Sequence, residues 1–358
     1  MPTITDEFRI DSHKLMYHVP RVYQWLKGKN IYPIYIEIGL YGGCNHRCVF
    51  CAFGFFQYKP DILGETELRR FILEAAKRGV KSILYSGEGE PLLHKDAVGI
   101  INFTKKAGID VALVTNGVLF DKEKAAGSLN SLSWLKVSLD AGTKKNYAAI
   151  HGTVKEDFDI VIKNLREAVK IRNQKNYSCV IGAQFLLIPK NYKEVLAAAK
   201  IVRDAGADYL VIKPYSRHPA NRNTPALALR YRDLARLEGE LKKYEKSNFK
   251  IILRRNASES LEKKKPYAHC LGLPFAAHIT ARGDMYPCNL FLGKQNFAFG
   301  NIGKESFKNI WEGEKRKKVM ARIYAKWDLT GCRKACRLDE INGYLWGLKN
   351  PGSHVNFI

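Results

Sequence analysis

Three cysteines fall within eight residues, Cys44-Asn-His-Arg-Cys48-Val-Phe-Cys51, directly after the extended apolar run 34–40. A closed structural zinc site takes four protein ligands, and no fourth cysteine lies nearby. Three thiolates suit a [4Fe–4S] cube with one iron left open for another ligand. A zinc site completed by His46 or by a distant residue, and buried cysteines that ligate nothing, are the alternative readings. A second set is spread wider. Cys270 is followed by twelve residues, Gly283, four residues and Cys288, and then by Cys332 and Cys336. Four thiols are enough to close either a cluster or a zinc site. Cys179 stands alone at the start of an apolar run, where a small buried hydrophobe is its expected role.

The elements that must position these thiols read as alternating strands and helices. Strands are predicted over 32–40, 82–86, 110–115, 134–140, 178–188 and 208–214, and helices over 65–78, 95–107, 156–171 and 192–205. Gly79, Gly108 and Gly206 stand at predicted helix ends. Six strands in about 190 residues fall short of a closed eight-strand barrel, so an α/β fold with an open (β/α)6 partial TIM barrel is expected. Chemistry in such folds gathers at the C-terminal strand ends. Those ends carry Ser86-Gly87-Glu88-Gly89-Glu90-Pro91, Asn116, Ser138 with Asp140, and Lys213 with Ser216 and His218; Gln184 lies within the fifth strand. Residues 1–30 read as an arm with a short helix, 31–220 as the barrel, 221–265 as a helical linker, 266–340 as a small α+β cluster domain and 341–358 as a tail.

The motif C-x3-C-x-aromatic-C at the end of a first strand, with Phe50 as the aromatic, resembles the signature of the radical S-adenosylmethionine (radical SAM) enzymes. The Cys270–Cys336 set resembles that family's Twitch domain, the short form of the SPASM domain, which carries an auxiliary [4Fe–4S] cluster. The resemblance implies a cluster on Cys44, Cys48 and Cys51 that binds S-adenosylmethionine and cleaves it reductively to a 5′-deoxyadenosyl radical. It implies a second cluster on Cys270, Cys288, Cys332 and Cys336. It makes Ser86, Gly87, Glu88, Gly89, Glu90, Asn116, Ser138, Gln184, Lys213 and Ser216 candidates for cofactor binding, with Glu88 and Glu90 competing for the cofactor's amino group. Closed ligation of the second cluster favours oxidation of a substrate radical, for which Lys213, Asp140 and His218 are candidate bases.

The chain has 358 residues and a formal net charge of +24. So basic a surface attracts anions, which suits a phosphorylated or nucleotide-linked small molecule and an acidic electron donor such as a flavodoxin or ferredoxin. A polyhydroxylated substrate (a sugar, aminocyclitol or nucleotide-sugar) is the expectation, with a dehydrogenase-like outcome. Epimerisation or dehydration of a sugar, peptide maturation and RNA modification are the rivals. RNA would explain the charge, but the aromatic-interleaved basic strip of single-strand binders is missing. With neither a signal pattern nor a membrane-length apolar run, a cytoplasmic protein is expected.

Overall fold

The computed structural model describes residues 8–221 and 237–357. Of the expected helical linker, residues 222–236 lie outside the described residues. One ten-stranded sheet organises the chain: β1 (Tyr35–Gly39), β2 (Ser82–Ser86), β3 (Asp110–Thr115), β4 (Leu132–Ser138), β5 (Val180–Leu187), β6 (Tyr209–Pro214), β7 (Lys250–Leu253), β8 (Ala276–Ile279), β9 (Asp284–Tyr286) and β10 (Gly300–Asn301). Its order is β10-β9-β8-β1-β2-β3-β4-β5-β6-β7. The six expected strands are β1 to β6, all parallel, with helices in the crossovers. The partial barrel is therefore present, and it is extended at both edges. β7, from the segment expected to be a helical linker, pairs parallel with β6. β8 pairs parallel with β1, so the C-terminal thiol-bearing region is built into the barrel sheet.

Periodicity explains the outer layer. Helix Glu65–Lys77 buries Leu68, Phe71, Ile72 and Ala75, an i, i+3, i+4, i+7 stripe that faces the sheet. Helix Glu156–Gln174 buries Phe158, Val161, Leu165, Ala168 and Val169 in the same way. Asp121 and Thr143 cap their helices by accepting from the backbone N–H groups of Lys124 and Asn146. Outward-facing strand residues such as Ile36, Ile38, Val111, Leu135, Ile181 and Ile212 join them in one continuous core.

The inward face of the sheet differs from bottom to top. At the bottom, Tyr209, Val211 and Ile252 are buried against Phe8, Ile10 and Val180, and the Phe8 and Tyr209 rings lie 5.4 Å apart. The N-terminal arm thus plugs the floor of the barrel with apolar side chains. Above that floor the lumen is polar, and the C-terminal domain bounds one side of it. The Arg337 guanidinium crosses to Glu37 on β1 at 2.6 Å and also donates to Tyr35.

Candidate active site

The Cys44–Cys51 loop leaves the C-terminal end of β1 and is fastened from two directions. The backbone N–H groups of Arg47 and Val49 donate to the carbonyls of His151 and Ile150, at 2.8 and 2.9 Å, the open end of helix Lys144–His151. Gly152 ends that helix at φ +59°, and a Cβ there would sit 2.4 Å from the Arg47 carbonyl oxygen. From the other side, Glu90 N–H donates to Gly43 O at 2.9 Å. A Cβ on Gly89 would lie 2.2 Å from the carbonyl oxygens of Tyr41 and Gly43. The glycine-rich segment therefore works first as a backbone surface on which the cysteine loop is seated.

The thiols fit a metal cluster. All eight cysteines are unbridged. Burial, with Glu90 and Cys51 nearby, pushes the Cys44 thiol up to about 11, and burial with Cys51 and Asp140 pushes Cys48 higher. Buried thiols that also repel one another ionise readily only against a metal's positive charge. His46 N–H donates to Cys44 Sγ at 3.4 Å, and His151 Nδ1 lies 3.4 Å from Cys48 Sγ. His46, Cys48 and His151 bring ligand atoms within 4.8 Å of one another. However, His46 Nε2 is taken by Asp157 at 3.1 Å and His151 Nε2 by the Leu139 carbonyl at 3.2 Å.

In the second set, burial pushes every thiol up; neighbouring thiols raise Cys270, Cys288 and Cys332 further, and Asp339 raises Cys336. Each of three sulfurs receives an N–H donor: Trp327 Nε1 to Cys332 at 3.2 Å, Asn342 Nδ2 to Cys270 at 3.4 Å and Leu338 N to Cys336 at 3.5 Å. The Cys336 N–H donates to Asp339 at 2.7 Å, whose other oxygen pairs with Lys265 at 2.6 Å. Cys179 is buried at the opposite end of its strand's sheet, 1% exposed, with its thiol pushed up to about 12 by burial.

The polar residues expected at the strand ends separate into committed and uncommitted groups. Glu90 accepts from Thr115 Oγ1 at 2.6 Å, Asn116 N at 2.8 Å and Leu92 N at 3.2 Å. Glu88 accepts from Ala281 N at 2.7 Å, and burial raises its carboxyl to about 7. Both carboxylates fasten loops, and neither is aimed at a ligand. Asn116 donates to Asn45 at 2.7 Å and accepts from Val118 N. Ser86 donates to Glu37 at 2.9 Å.

Burial and partners engage three of the expected groups. Asp140 is 0% exposed, accepts from Leu186 N, and sits 3.5 Å from His151 Nε2. Burial raises it to about 7, its second oxygen has no hydrogen-bond partner, and it acts electrostatically on Lys213. His218 is 1% exposed; Nδ1 accepts from Ala220 N, Nε2 meets Asn289 O at 3.2 Å, and burial lowers it to about 4. Both of its nitrogens are thus occupied. Ser216 donates to the Lys334 carbonyl, which docks the cluster domain onto the barrel, and so is not open to the cofactor.

Ser138, Gln184 and Lys213 are half-buried and make no side-chain hydrogen bond among the described residues. They face the lumen, as the pairing of Ser138 with Gln184 and of Leu186 with Lys213 requires. Lys136 is two residues before Ser138 and shares its face, and it was not foreseen. Nor were Glu37, His278, Arg333 and Arg337. A charge at the centre of an apolar strand, as in Ile36-Glu37-Ile38 or Leu135-Lys136-Val137, was the signal available. Burial raises Glu37, but Arg337 and the Ser86 and Tyr35 hydroxyls outweigh it and hold the carboxyl down at about 2.

Residues 38–199 match the family model of the radical SAM superfamily, and residues 270–337 match that of the SPASM iron–sulfur cluster-binding domain. The chain is 32% identical over 142 residues to the GTP 3′,8-cyclase of Alkaliphilus metalliredigens, a match to 38% of this chain and 43% of that protein. It thus spans about two-fifths of the length of that relative. The AdoMet-dependent heme synthase of Methanosarcina barkeri is 27% identical over 310 residues, covering 78% of this chain and 82% of that one. Among solved structures, Streptococcus suis SuiB bound to its precursor peptide SuiA superposes with a TM-score of 0.65 at 18% identity, over 85% of this chain and 71% of that one. At that identity the likeness is one of fold. No helix among the described residues is long and apolar enough to cross a membrane.

Proposed function

We propose that this chain, which belongs to the radical SAM superfamily and carries a C-terminal SPASM domain, oxidises a small polyhydroxylated molecule enclosed in its barrel lumen. Cys44, Cys48 and Cys51 would hold the cluster that binds S-adenosylmethionine, and Cys270, Cys288, Cys332 and Cys336 the auxiliary one. When bound, the first cluster and S-adenosylmethionine supply a 5′-deoxyadenosyl radical, which takes a hydrogen atom from a substrate carbon.

One observation carries the reading. Both thiol sets border the same lumen, whose wall offers uncommitted polar side chains. Asp140 acts electrostatically on Cys48 and on Lys213, while Arg333, next to Cys332, acts on Lys213 from the other side. Ser138 and Gln184 offer a hydroxyl and an amide to substrate hydroxyls. The Phe8 and Ile10 plug closes the floor against water. With His218 hydrogen-bonded at both nitrogens and Asp140 fully buried, the hydroxyl proton of an oxidised alcohol would leave to water in the lumen. Its electron would pass to the four-thiol side. A relative that aligns over most of its length is named for a cofactor, heme, which favours a small molecule over a peptide.

Anaerobic reconstitution with iron and sulfide counting tests the reading. Two clusters require about eight irons per chain, and the reduced protein must release 5′-deoxyadenosine from S-adenosylmethionine. About four irons together with a bound zinc, or no 5′-deoxyadenosine, would refute it.

A further inference from the structure

Five cationic side chains converge on the lumen above the apolar floor, and only two of them are neutralised. Arg337 pairs with Glu37 at 2.6 Å, and Arg254 with Asp11 at 3.4 Å. Lys136, Lys213 and Arg333 are left over. Lys136 lies on β4 opposite Gly182 of β5, and Gly182 lies opposite Tyr209 of β6. Lys213 stands four residues beyond Tyr209 on the same strand and so on the same inward face. A Cβ on Gly182 would meet the Tyr209 ring at 2.3 Å, so the missing side chain makes room for that ring, which closes the floor beside Lys136. Lys136 Nζ lies 5.2 Å from the Trp134 ring, an aromatic wall for the cation. Among the described residues neither ammonium makes a hydrogen bond or an ion pair.

Arg333 reaches in from the loop between Cys332 and Cys336. Its Nη2 donates to Ser216 O at 2.8 Å, and its Nε is buried without a partner. The remaining titratable neighbours do not fully offset these charges. Asp140 acts on Lys213, and Glu37 on Lys136 and Arg333, but Glu37 is already paired with Arg337; His278 is kept neutral by burial and Asp339 is committed to Lys265, so the offset is partial.

We propose that Lys136, Lys213 and Arg333 form a seat in the barrel lumen for an anionic group, a phosphate or carboxylate, carried by the substrate. Two half-buried ammonium groups that repel each other, with an unpaired guanidinium N–H beside them, are costly in an empty site. An anion between them removes the repulsion and supplies the missing acceptors. Burial and the neighbouring Arg337 and Arg254 push Lys136 down to about 7, and burial and Lys136 push Lys213 well down from its ordinary value, which is the mark of that cost. Lys213 then serves as a binding group, in place of the base that its position suggests. The seat fixes one end of the substrate against β4 and β6, so the carbon that reacts is selected by its distance from the charged end. The inference rests on the proposed function for the identity of the occupant as substrate, but not for the seat itself.

The test uses the full chain with both clusters reconstituted and inorganic phosphate as probe, measured by equilibrium dialysis with and without saturating S-adenosylmethionine. One equivalent is expected to bind in both conditions, about 10-fold or more weakly in Lys136→Met and Lys213→Met. Lys136→Arg should restore binding, and Lys106→Gln on the outer helix should leave it unchanged. Iron content and circular dichroism matched to the parent establish that each variant is folded. Acetate tested in place of phosphate reports which anion the seat prefers, and tighter binding of either one supports the proposal. Equal weakening in Lys106→Gln, or unaltered binding in both methionine variants, would overturn it. Displacement of phosphate by S-adenosylmethionine would also overturn it, because the cations would then serve the cofactor's own carboxylate. Release of 5′-deoxyadenosine is scored separately. Its presence without the phosphate seat sinks only this inference, and its absence with the seat intact sinks only the enzymatic reading.

Discussion

The two thiol sets differ less in their sulfur than in what surrounds it. Cys44 and Cys48 lie near the buried carboxyls of Glu90 and Asp140, against which stand the backbone N–H groups of His46 and Cys48, the Tyr58 hydroxyl on Cys51 and the charge of Arg47. Around the second set, Trp327, Asn342 and Leu338 each direct an N–H at a different sulfur, and Arg333 and Lys265 bring positive charge. Hydrogen-bond donors and cations stabilise the added electron of a reduced cluster, and carboxylates oppose it. The four-thiol side has more donors and cations, with Asp339 set against them beside Cys336, so it is expected to hold the higher potential, the direction that an oxidation of substrate needs.

The largest effect expected from breaking this contrast is on cofactor cleavage. Ala at Cys44, Cys48 or Cys51 should abolish 5′-deoxyadenosine formation. Cys332→Ala should leave formation intact and stop substrate oxidation, both read by chromatography of the quenched reaction. Cleavage that survives the first three changes would remove the distinction altogether. Next comes the ordering of potentials. An anaerobic redox titration followed by electron paramagnetic resonance, with Cys332→Ala used to assign signals, should place the four-thiol cluster at the higher potential. The reverse order would refute the charge argument.

The two regions are also mechanically joined, and pH tests the joint. Glu37 titrates at about 2 in the fold against an ordinary 4.5. A carboxyl held down in this way stabilises the protein fully above pH 4.5, and the stabilisation is lost as pH falls through 2. The difference corresponds to about 3 kcal/mol. With the Arg337 side chain 55% exposed to water, about 2 kcal/mol is expected. Urea unfolding of Glu37→Gln at pH 7 should show that loss, and the gap from the parent should close as pH falls toward 2. A gap independent of pH would mean that Glu37 acts by packing and not by charge.

How much of this was written in the chain depends on the range of the interaction. The Cys44-x3-Cys48-x2-Cys51 spacing is local and legible, and so are the helix stripes that alternate with β1 to β6. The parallel pairing of β8 with β1 joins residues about 240 apart in sequence, and no local pattern reports such a partner. β7 is four residues long beside a helical stretch, too short for period 2 to register. Ser216, His218 and Asp140 have the right chemistry, but Lys334 O, Asn289 O and Leu186 N claim them first, and a partner cannot be read from residue type. Glu37 and Lys136 were readable in principle. A strand covered on both sides that carries a charge at its centre must direct it into a lumen.

The smallest expected effect isolates one donor on the accepting side. Asn342 is fixed in orientation because its Oδ1 accepts from Gly272 N at 2.7 Å, which leaves Nδ2 to donate to Cys270 Sγ at 3.4 Å. Asn342→Leu keeps the side-chain volume and the helix, removes the donor, and leaves the buried Gly272 N–H without its acceptor. Loss of the N–H makes the reduced cluster less stable, so the four-thiol potential should fall by about 30–60 mV for one hydrogen bond of about 1 kcal/mol. The three-thiol potential and the rate of 5′-deoxyadenosine release in the absence of substrate should not move. A shift of both potentials together would mean that the substitution loosens the whole domain, and that the donors around Cys270, Cys332 and Cys336 do not set the direction of electron flow.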